Sequence, residues 1–429
     1  MRFFSILGDV CRGKTPGQLV IQLTDLCNAA CPQCGMRRSA DFRRNSLSLD
    51  QCREIIDRAA ERGVSALSLT GGEPLLYLEE VTKLVNHAAR AGINYTRTGT
   101  NGFLLARPEA ADFIDRVKRC AESLAASKLR NFWISLDSAV PQTHEKMRGL
   151  NGLISGIEKA LPVFHGFGLY PTANLGLNRN LGGESKALPI LGNMPTQEQA
   201  ENFTAMVAEG LSSFFRLVGN LGFSIVNFCY PMSVTAGDGL AAVYPASADE
   251  QLVRFSRAEK AGLFTAMLEV IPRFRRQLRI FSPLSAVDTL ARIYRNEPVI
   301  PFPCRGGTDY FFISATDGHT YPCGFRGEED LGDYRFTNPG GVRGRICTAC
   351  DWECFRDPSE LLGPVSCALS APWALFTRHR RTPAFYRLWL EDLRYYQACD
   401  YFDGRRPSRL HKLPNGWGKS PHVAHPATG

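Results

Sequence analysis

What this chain lacks narrows the reading first. No run of residues approaches the roughly 18 to 20 consecutive apolar side chains of a membrane span, so no transmembrane segment is expected. The opening stretch, MRFFSILGDVCRGK, has too short an apolar core and no small-residue cleavage site for a secretory signal. No repeat recurs at a solenoid period. The formal charge of +8 is small for 429 residues, and much of the excess falls late, in FTRHRRTPAFYRLW (376–389) and GRRPSRLHK (404–412). Those runs read as solvated surface. Without a compact module of interleaved base-stacking aromatics, nucleic acid is not an expected partner.

A hydrophobic content of 44% supports a large buried core, and the length suits two or three domains of a globular protein. With neither signal nor span, the cytoplasm is the default compartment. There disulfides are disfavoured, so 14 cysteines point to metal ligation or catalysis.

Up to residue 235 the sequence alternates between short β-like runs and helical patterns. Strands are predicted at LVIQLT (19–24), ALSLTG (66–71), INYTRTGT (93–100), FWISLD (132–137), YPTANLGL (170–177) and FSIVNFCY (223–230). In LDQCREIIDRAAERG (49–63), Cys52, Ile55, Ile56 and Ala59 recur at helical spacing before a capping glycine. Six β-α units imply a parallel sheet with helices outside and chemistry at the C-terminal ends of the strands. The expected architecture is α/β, a partial (β/α)6 TIM-like barrel followed by a small cysteine-rich C-terminal domain. The expected boundaries are an extension at 1–16, the barrel at 17–235, a mostly helical connection at 236–300, a metal-stapled domain at 301–370, and a basic helical segment at 371–429. In the metal-stapled domain long helical patterns vanish until about Ala371. The last segment ends in a disordered tail, NGWGKSPHVAHPATG.

Directly after the first strand, DLCNAACPQCGM places Cys27, Cys31 and Cys34 at C-x3-C-x2-C spacing. Three thiolates from one loop suit a soft metal or an iron–sulfur cluster. No histidine lies in the loop, and the nearest other cysteine, Cys52, is on an outer helix. An open coordination position follows.

This triad, followed by TGGEP (70–74) at the end of the second strand, resembles the radical S-adenosylmethionine (SAM) superfamily. RTGTNG (97–102) and ISLDSAVPQTHEKMRG (134–149) resemble further segments of that family. The resemblance implies a [4Fe-4S] cluster on Cys27, Cys31 and Cys34 whose open iron is chelated by the amino and carboxylate groups of SAM. Gly71, Gly72, Glu73 and Pro74 would then bind the cofactor, with Glu73 accepting from its ammonium. Asn101 would contact the ribose edge, Ser135 the ribose or the carboxylate, and Arg148 the carboxylate. Gln33 departs from the family, which carries an aromatic before the third cysteine. Its place is either at the adenine or in solvent.

Cys304, Cys323 and ICTACDWEC (346–354), with Cys367, resemble the auxiliary-cluster extensions called SPASM and twitch domains. One auxiliary [4Fe-4S] cluster would take Cys304, Cys323, Cys347 and Cys350. Cys354 and Cys367 are then spare, or belong with Cys399 to a partial second site. A structural zinc site is the alternative. Cys229, ending the sixth strand, is a candidate hydrogen-atom donor or acceptor, while Tyr230 and His144 are candidates for proton transfer. Cys11, Cys52 and Cys120 read as packing residues.

The activity so implied is reductive cleavage of SAM, driven by a flavodoxin- or ferredoxin-type reductant. The resulting 5′-deoxyadenosyl radical would abstract hydrogen from a small-molecule or lipid-like substrate. A peptide- or protein-modifying SPASM maturase is the alternative within the class. A non-catalytic electron-transfer or zinc-stabilised scaffold is the alternative outside it.

Overall fold

The computed structural model describes residues 17–36, 44–192, 194–231, 233, 241–244, 250–337, 347–348 and 350–413. The expected N-terminal extension with Cys11 and the expected tail at 415–429 lie outside the described residues. Nine strands form one sheet, β1 (Gly17–Thr24), β2 (Val64–Gly71), β3 (Tyr95–Thr100), β4 (Asn131–Leu136), β5 (Thr172–Gly176), β6 (Ile225–Cys229), β7 (Arg279–Phe281), β8 (Tyr310–Ile313) and β9 (Thr320–Tyr321). Their order is β7-β6-β5-β4-β3-β2-β1-β8-β9. Every pairing is parallel except β8 with β9.

All six predicted strands are present, and side chains from β2 through β7 line one interior cavity, so the sheet curls into a partial barrel. The first helices are α1 (Leu49–Glu61), α2 (Leu78–Arg90) and α3 (Phe113–Ala126). After them come α4 (Pro141–Arg148), α5 (Leu153–Gly166) and α6 (Gln197–Leu221). In α1 a Ser48–Gln51 capping box starts the helix, and the buried face is Cys52, Ile55, Ile56 and Ala59. Cys52 and Cys120 are buried in the main core, consistent with packing roles.

Three expectations need correction. Residues 236–300 hold α7 (Arg257–Phe274) and α8 (Leu284–Tyr294) but also the seventh strand, β7. Three residues are too few for a periodicity signal; pairing with β6 specifies this strand. Nor do the residues from 301 onward stand apart, because β8 pairs with β1 and extends the barrel sheet. Helix α9 (Glu353–Ser370) begins well before Ala371 despite Pro358 and Pro364 inside it. Each proline forfeits a helical hydrogen bond, but burial of Phe355, Arg356, Asp357, Ser359 and Glu360 holds the helix in place.

Helices α10 (Pro372–Arg381) and α11 (Pro383–Ala398) follow. From α11, the buried Asp392 accepts from Arg275 at 2.7 Å and from the Leu284 and Ser285 amides at 2.9 Å, tying α11 to the start of α8. Among the described residues no helix is long and apolar enough to cross a membrane.

The run at 404–412, expected as solvated surface, is partly structural. Arg405 donates to the carbonyls of Leu124, Ala125, Ser127 and Leu129 at 2.6–3.0 Å, closing the C-terminal end of α3. Leu124 and Ala125 belong to the last turn, whose carbonyls have no intrahelical i+4 partner, and a guanidinium there also meets the favourable end of the dipole. We expect Arg405→Gln to lower stability by about 1.5–3 kcal/mol, read as a reduced thermal midpoint. An unchanged midpoint would show that these bonds contribute nothing net.

Candidate active site

The cysteine loop leaves β1 at Thr24, whose hydroxyl accepts from the Leu26 amide at 3.0 Å. Within it the Cys34 amide donates to the Cys31 carbonyl at 3.2 Å, and the Ala29 amide donates to Cys27 Sγ at 3.5 Å. The three thiols lie within one another's electrostatic reach. Burial pushes all three up, Cys34 to about 12, while the Arg148 guanidinium opposes the shift at each. Cluster loading must therefore displace thiol protons.

Gly71 and Gly72 have a more local purpose than approach to a ligand. A Cβ on Gly72 would meet the Leu26 carbonyl oxygen at 2.2 Å, and one on Gly71 would meet that of Thr24 at 2.4 Å. Without those atoms the Gly72 amide donates to Thr24, and the Glu73 amide to Leu26, both at 2.8 Å. The end of β2 is thereby fastened to the base of the cysteine loop. Pro74 opens a buried 3-10 turn. Burial pushes the Glu73 carboxyl up to about 7, against the Asn101 and Leu75 amides, which donate to it at 2.6 and 3.0 Å. Asn101 also donates to Asn28 at 2.8 Å, within the cysteine loop.

Ser135 and Asp137 follow each other at β spacing on the cavity side of β4. Arg148, expected to meet a cofactor carboxylate, holds Asp137, Nε to Oδ2 at 2.5 Å and Nη2 to Oδ1 at 2.8 Å. Burial alone would raise Asp137, but Arg148 and His144 outweigh it and hold the carboxyl well below the usual range. His144, a candidate for proton transfer, is fully buried and accepts from the Asp137 amide at 3.1 Å. Its place is structural. The buried Tyr230 hydroxyl donates to Asp357 at 3.1 Å, joining β6 to α9.

Gln33, Cys34, Gly71, Gly72, Glu73, Pro74, Asn101, Ser135, Arg148 and Cys229 all line a single cavity. The Gln33 Oε1 is buried and without a partner among the described residues. Sequence reading missed the rest of the chamber. Arg97, Asn131, Trp133, Asn174 and Asn227 face it from β3 to β6, and Glu353 and Cys354 enter from α9. Alternating polar residues in otherwise apolar strands, as in NFWISL and IVNFC, were the available signal.

The second cysteine set divides. Cys304, Cys323, Cys347 and Cys350 are electrostatic neighbours, and the Cys304 amide donates to the Cys347 carbonyl at 2.9 Å. Cys354 packs on the same aromatic cluster as Cys304, Cys323 and Cys350, but its thiol donates to Glu353 at 3.5 Å and it lines the chamber with Cys229. Cys367 packs on the Phe302, Phe385 and Tyr386 cluster, and Cys399 sits beside Tyr395, Tyr396 and Phe402. These three cysteines pack in three different clusters.

Among the described residues no three His, Cys, Asp or Glu side chains are set to hold a metal ion as they stand. The donor chemistry still fits. Three soft thiols gathered in one loop, with the buried acceptors Gln33 and Glu73 on the same cavity, suit an iron–sulfur cluster and a cationic organic ligand.

The family model described as the Radical SAM superfamily matches residues 21–172. The match to this superfamily spans about a third of the chain. Enzymes of this superfamily use a [4Fe-4S] cluster and SAM. An AdoMet-dependent heme synthase of Methanosarcina barkeri is 24% identical over 316 residues, which cover 73% of this chain and 78% of that protein. A GTP 3′,8-cyclase of Alkaliphilus metalliredigens is 30% identical over 147 residues, 33% of this chain and 42% of that protein. Among solved structures, Streptococcus suis SuiB bound to precursor peptide SuiA has a TM-score of 0.45 at 15% identity, covering 83% of this chain and 67% of that one.

Two outcomes check the geometry. In Gly72→Ala the new methyl meets backbone, which cannot rotate away, so we expect lower iron content at the first cluster after anaerobic reconstitution. Wild-type iron content would show that the fastening is dispensable. Burial pushes the Glu353 carboxyl, like Glu73, up to about 7. A folded-state value above the unfolded one stabilises below about pH 4.5, and that contribution is lost as pH rises through about 7. Glu353→Gln removes it, so the stability of the variant relative to wild type should climb between those pH values in denaturant titrations of the metal-free protein. A constant difference would contradict the assignment.

Proposed function

We propose that this radical SAM enzyme holds its catalytic cluster on Cys27, Cys31 and Cys34 and acts on a small-molecule or lipid-like substrate inside the barrel. When bound, the cluster and SAM supply a reductive cleavage that yields methionine and a 5′-deoxyadenosyl radical. The observation that carries this reading is the single cavity shared by the cysteine loop, Glu73, Asn101, Ser135 and the interior faces of β3 to β6. Glu73 accepts from the cofactor ammonium, Asn101 and Ser135 hold the ribose, and the orphan Gln33 Oε1 accepts from the adenine amino group. The remaining Arg148 donor faces the carboxylate of the cofactor. The heme synthase relative, matched over 78% of its length, supports a small-molecule substrate.

The chamber wall suits a substrate bearing a carboxylate or phosphate. Arg97 makes no ion pair among the described residues, and Asn131 beside it on β4, with Asn174 on β5 and Asn227 on β6, lines the same cavity. A guanidinium left without a counter-ion in such a site is costly, and an anionic substrate supplies one.

Cys229 is the proposed hydrogen-atom donor. Asn174 donates to its Sγ at 3.5 Å, and Glu353 binds both this thiol and Cys354. Burial pushes the two thiols up, so both keep the S–H bond that hydrogen transfer uses. Cys304, Cys323, Cys347 and Cys350 hold one auxiliary cluster. Four cysteine ligands would leave no open iron, and the cluster they would hold would supply electron transfer.

Reduction with SAM under anaerobic conditions should release 5′-deoxyadenosine and methionine, and none should form in the variant Cys27→Ala, Cys31→Ala, Cys34→Ala. Cleavage by that variant would overturn the site. Its iron content should remain near four per chain with the auxiliary cluster present; zinc in place of iron would overturn that assignment. In D2O without substrate, 5′-deoxyadenosine should gain deuterium from the exchanged thiols, and lose most of the gain in Cys229→Ala. Equal deuterium in variant and wild type would remove Cys229 from the reaction.

A further inference from the structure

Helix α10 has ten residues, and none is buried. Helices so short are marginal in water without a surface to pack against. What α10 has is a narrow inner edge. The Arg378 guanidinium lies 3.9 Å over the Phe302 ring and donates to the Ile300 carbonyl, and the His379 ring is 4.9 Å from that of Tyr386. The opposite side carries Trp373 at 78% exposure and Phe376 at 53%, their rings stacked 5.6 Å apart. Leu369, one turn earlier, is 52% exposed, and Ile300, beside Arg378, 45%. Trp373 and Phe376 are stacked on α10, Leu369 precedes them and Ile300 adjoins Arg378, so four exposed apolar side chains lie on or next to one helix. A cluster of this kind marks a contact surface.

Its charge identifies the contact. From Leu361 to Leu390 the chain has no Asp or Glu but has Arg378, Arg380, Arg381 and Arg387. Arg380 and Arg381 are exposed at the end of the same helix. Aromatic and aliphatic side chains beside exposed arginines, on a short helix lying along the protein surface, have the composition of helices that bind in the plane of a membrane interface. Nucleic acid would use the aromatics for base stacking but leave Leu369 and Ile300 without a partner. Acyl chains accommodate all four.

We propose that α10 docks the protein on an anionic bilayer surface. Trp373, Phe376, Leu369 and Ile300 enter the boundary between headgroups and acyl chains, and Arg380 and Arg381 meet the lipid phosphates. The inference depends on neither the cluster nor the substrate.

The test uses the full chain with its cysteine sites loaded, floated with vesicles of phosphatidylcholine alone or mixed with phosphatidylglycerol. Wild type should float with the mixed vesicles, weakly with phosphatidylcholine, and less at high salt. Arg380→Gln with Arg381→Gln should weaken binding to the mixed vesicles about tenfold or more. Trp373→Ser with Phe376→Ser should abolish flotation and the blue shift of tryptophan emission that accompanies it. All four positions are exposed, and unchanged melting curves and SAM cleavage would show that the fold is intact. Absence of wild-type flotation, or variants that float as well as wild type, would overturn the proposal. So would concentration-dependent self-association that Trp373→Ser with Phe376→Ser removes, because a second copy would then be the occupant.

Discussion

Two backbone hydrogen bonds set the geometry of the site. The Gly72 amide on Thr24 and the Glu73 amide on Leu26, each at 2.8 Å, fix the end of β2 against the loop that carries Cys27, Cys31 and Cys34. No side chain fits between them, since even a Cβ on Gly72 would come within 2.2 Å of a carbonyl oxygen. From that junction the rest is placed in sequence. Glu73 is oriented by its own amide bond, its carboxylate takes the Asn101 amide from the end of β3, and Asn101 reaches back to Asn28 in the cysteine loop. These groups thus form a closed loop of hydrogen bonds anchored on strand ends. Rigid elements of this kind hold a site more accurately than a free loop can.

The other end of the chain completes the chamber. Helix α9 puts Glu353 and Cys354 into the cavity, and Phe402 reaches the same cavity from the segment after α11. Asp400, Tyr401 and Phe402 run left-handed, with φ between 52° and 58°, a conformation that costs side-chain-bearing residues about 1–2 kcal/mol each. Surrounding contacts offset that cost. Asn131 donates to the Phe402 carbonyl, the Gly404 amide donates to Arg130, and the Phe402 ring packs on Phe281 and Tyr396. The chain thereby delivers an aromatic side chain to the interior while Arg405, three residues later, secures α3.

How much of this could be read from the sequence depends on the range of the interaction concerned. The six strands and the cysteine triad were legible because strand periodicity and ligand spacing are local patterns. Cys354 was not, because C-x2-C-x3-C groups it with Cys347 and Cys350 along the chain, whereas the first turn of α9 carries it to Cys229 instead. Arg405 looked like surface in a basic run, since nothing local reveals four carbonyls at the end of a helix nearly 280 residues earlier. Pro358 and Pro364 argued against a helix that tertiary burial nevertheless stabilises. Gly71 and Gly72 were expected at the cofactor, whereas the backbone they approach is that of the neighbouring loop.

Arg148 shows how an assignment by resemblance changes once the fold is known. A guanidinium paired in a bidentate manner with Asp137 has little freedom to follow a mobile ligand, and its planar geometry is fixed by that pairing. Its field nonetheless reaches Cys27, Cys31 and Cys34, and it opposes the effect of burial at each thiol. Gathering three thiolates in a buried loop concentrates negative charge that the protein interior solvates poorly. Asp137 keeps Arg148 charged and in place before any thiol ionises, so a permanent positive charge stands beside the loop in both the thiol and thiolate states. On this argument the first service of Arg148 is to the cysteines.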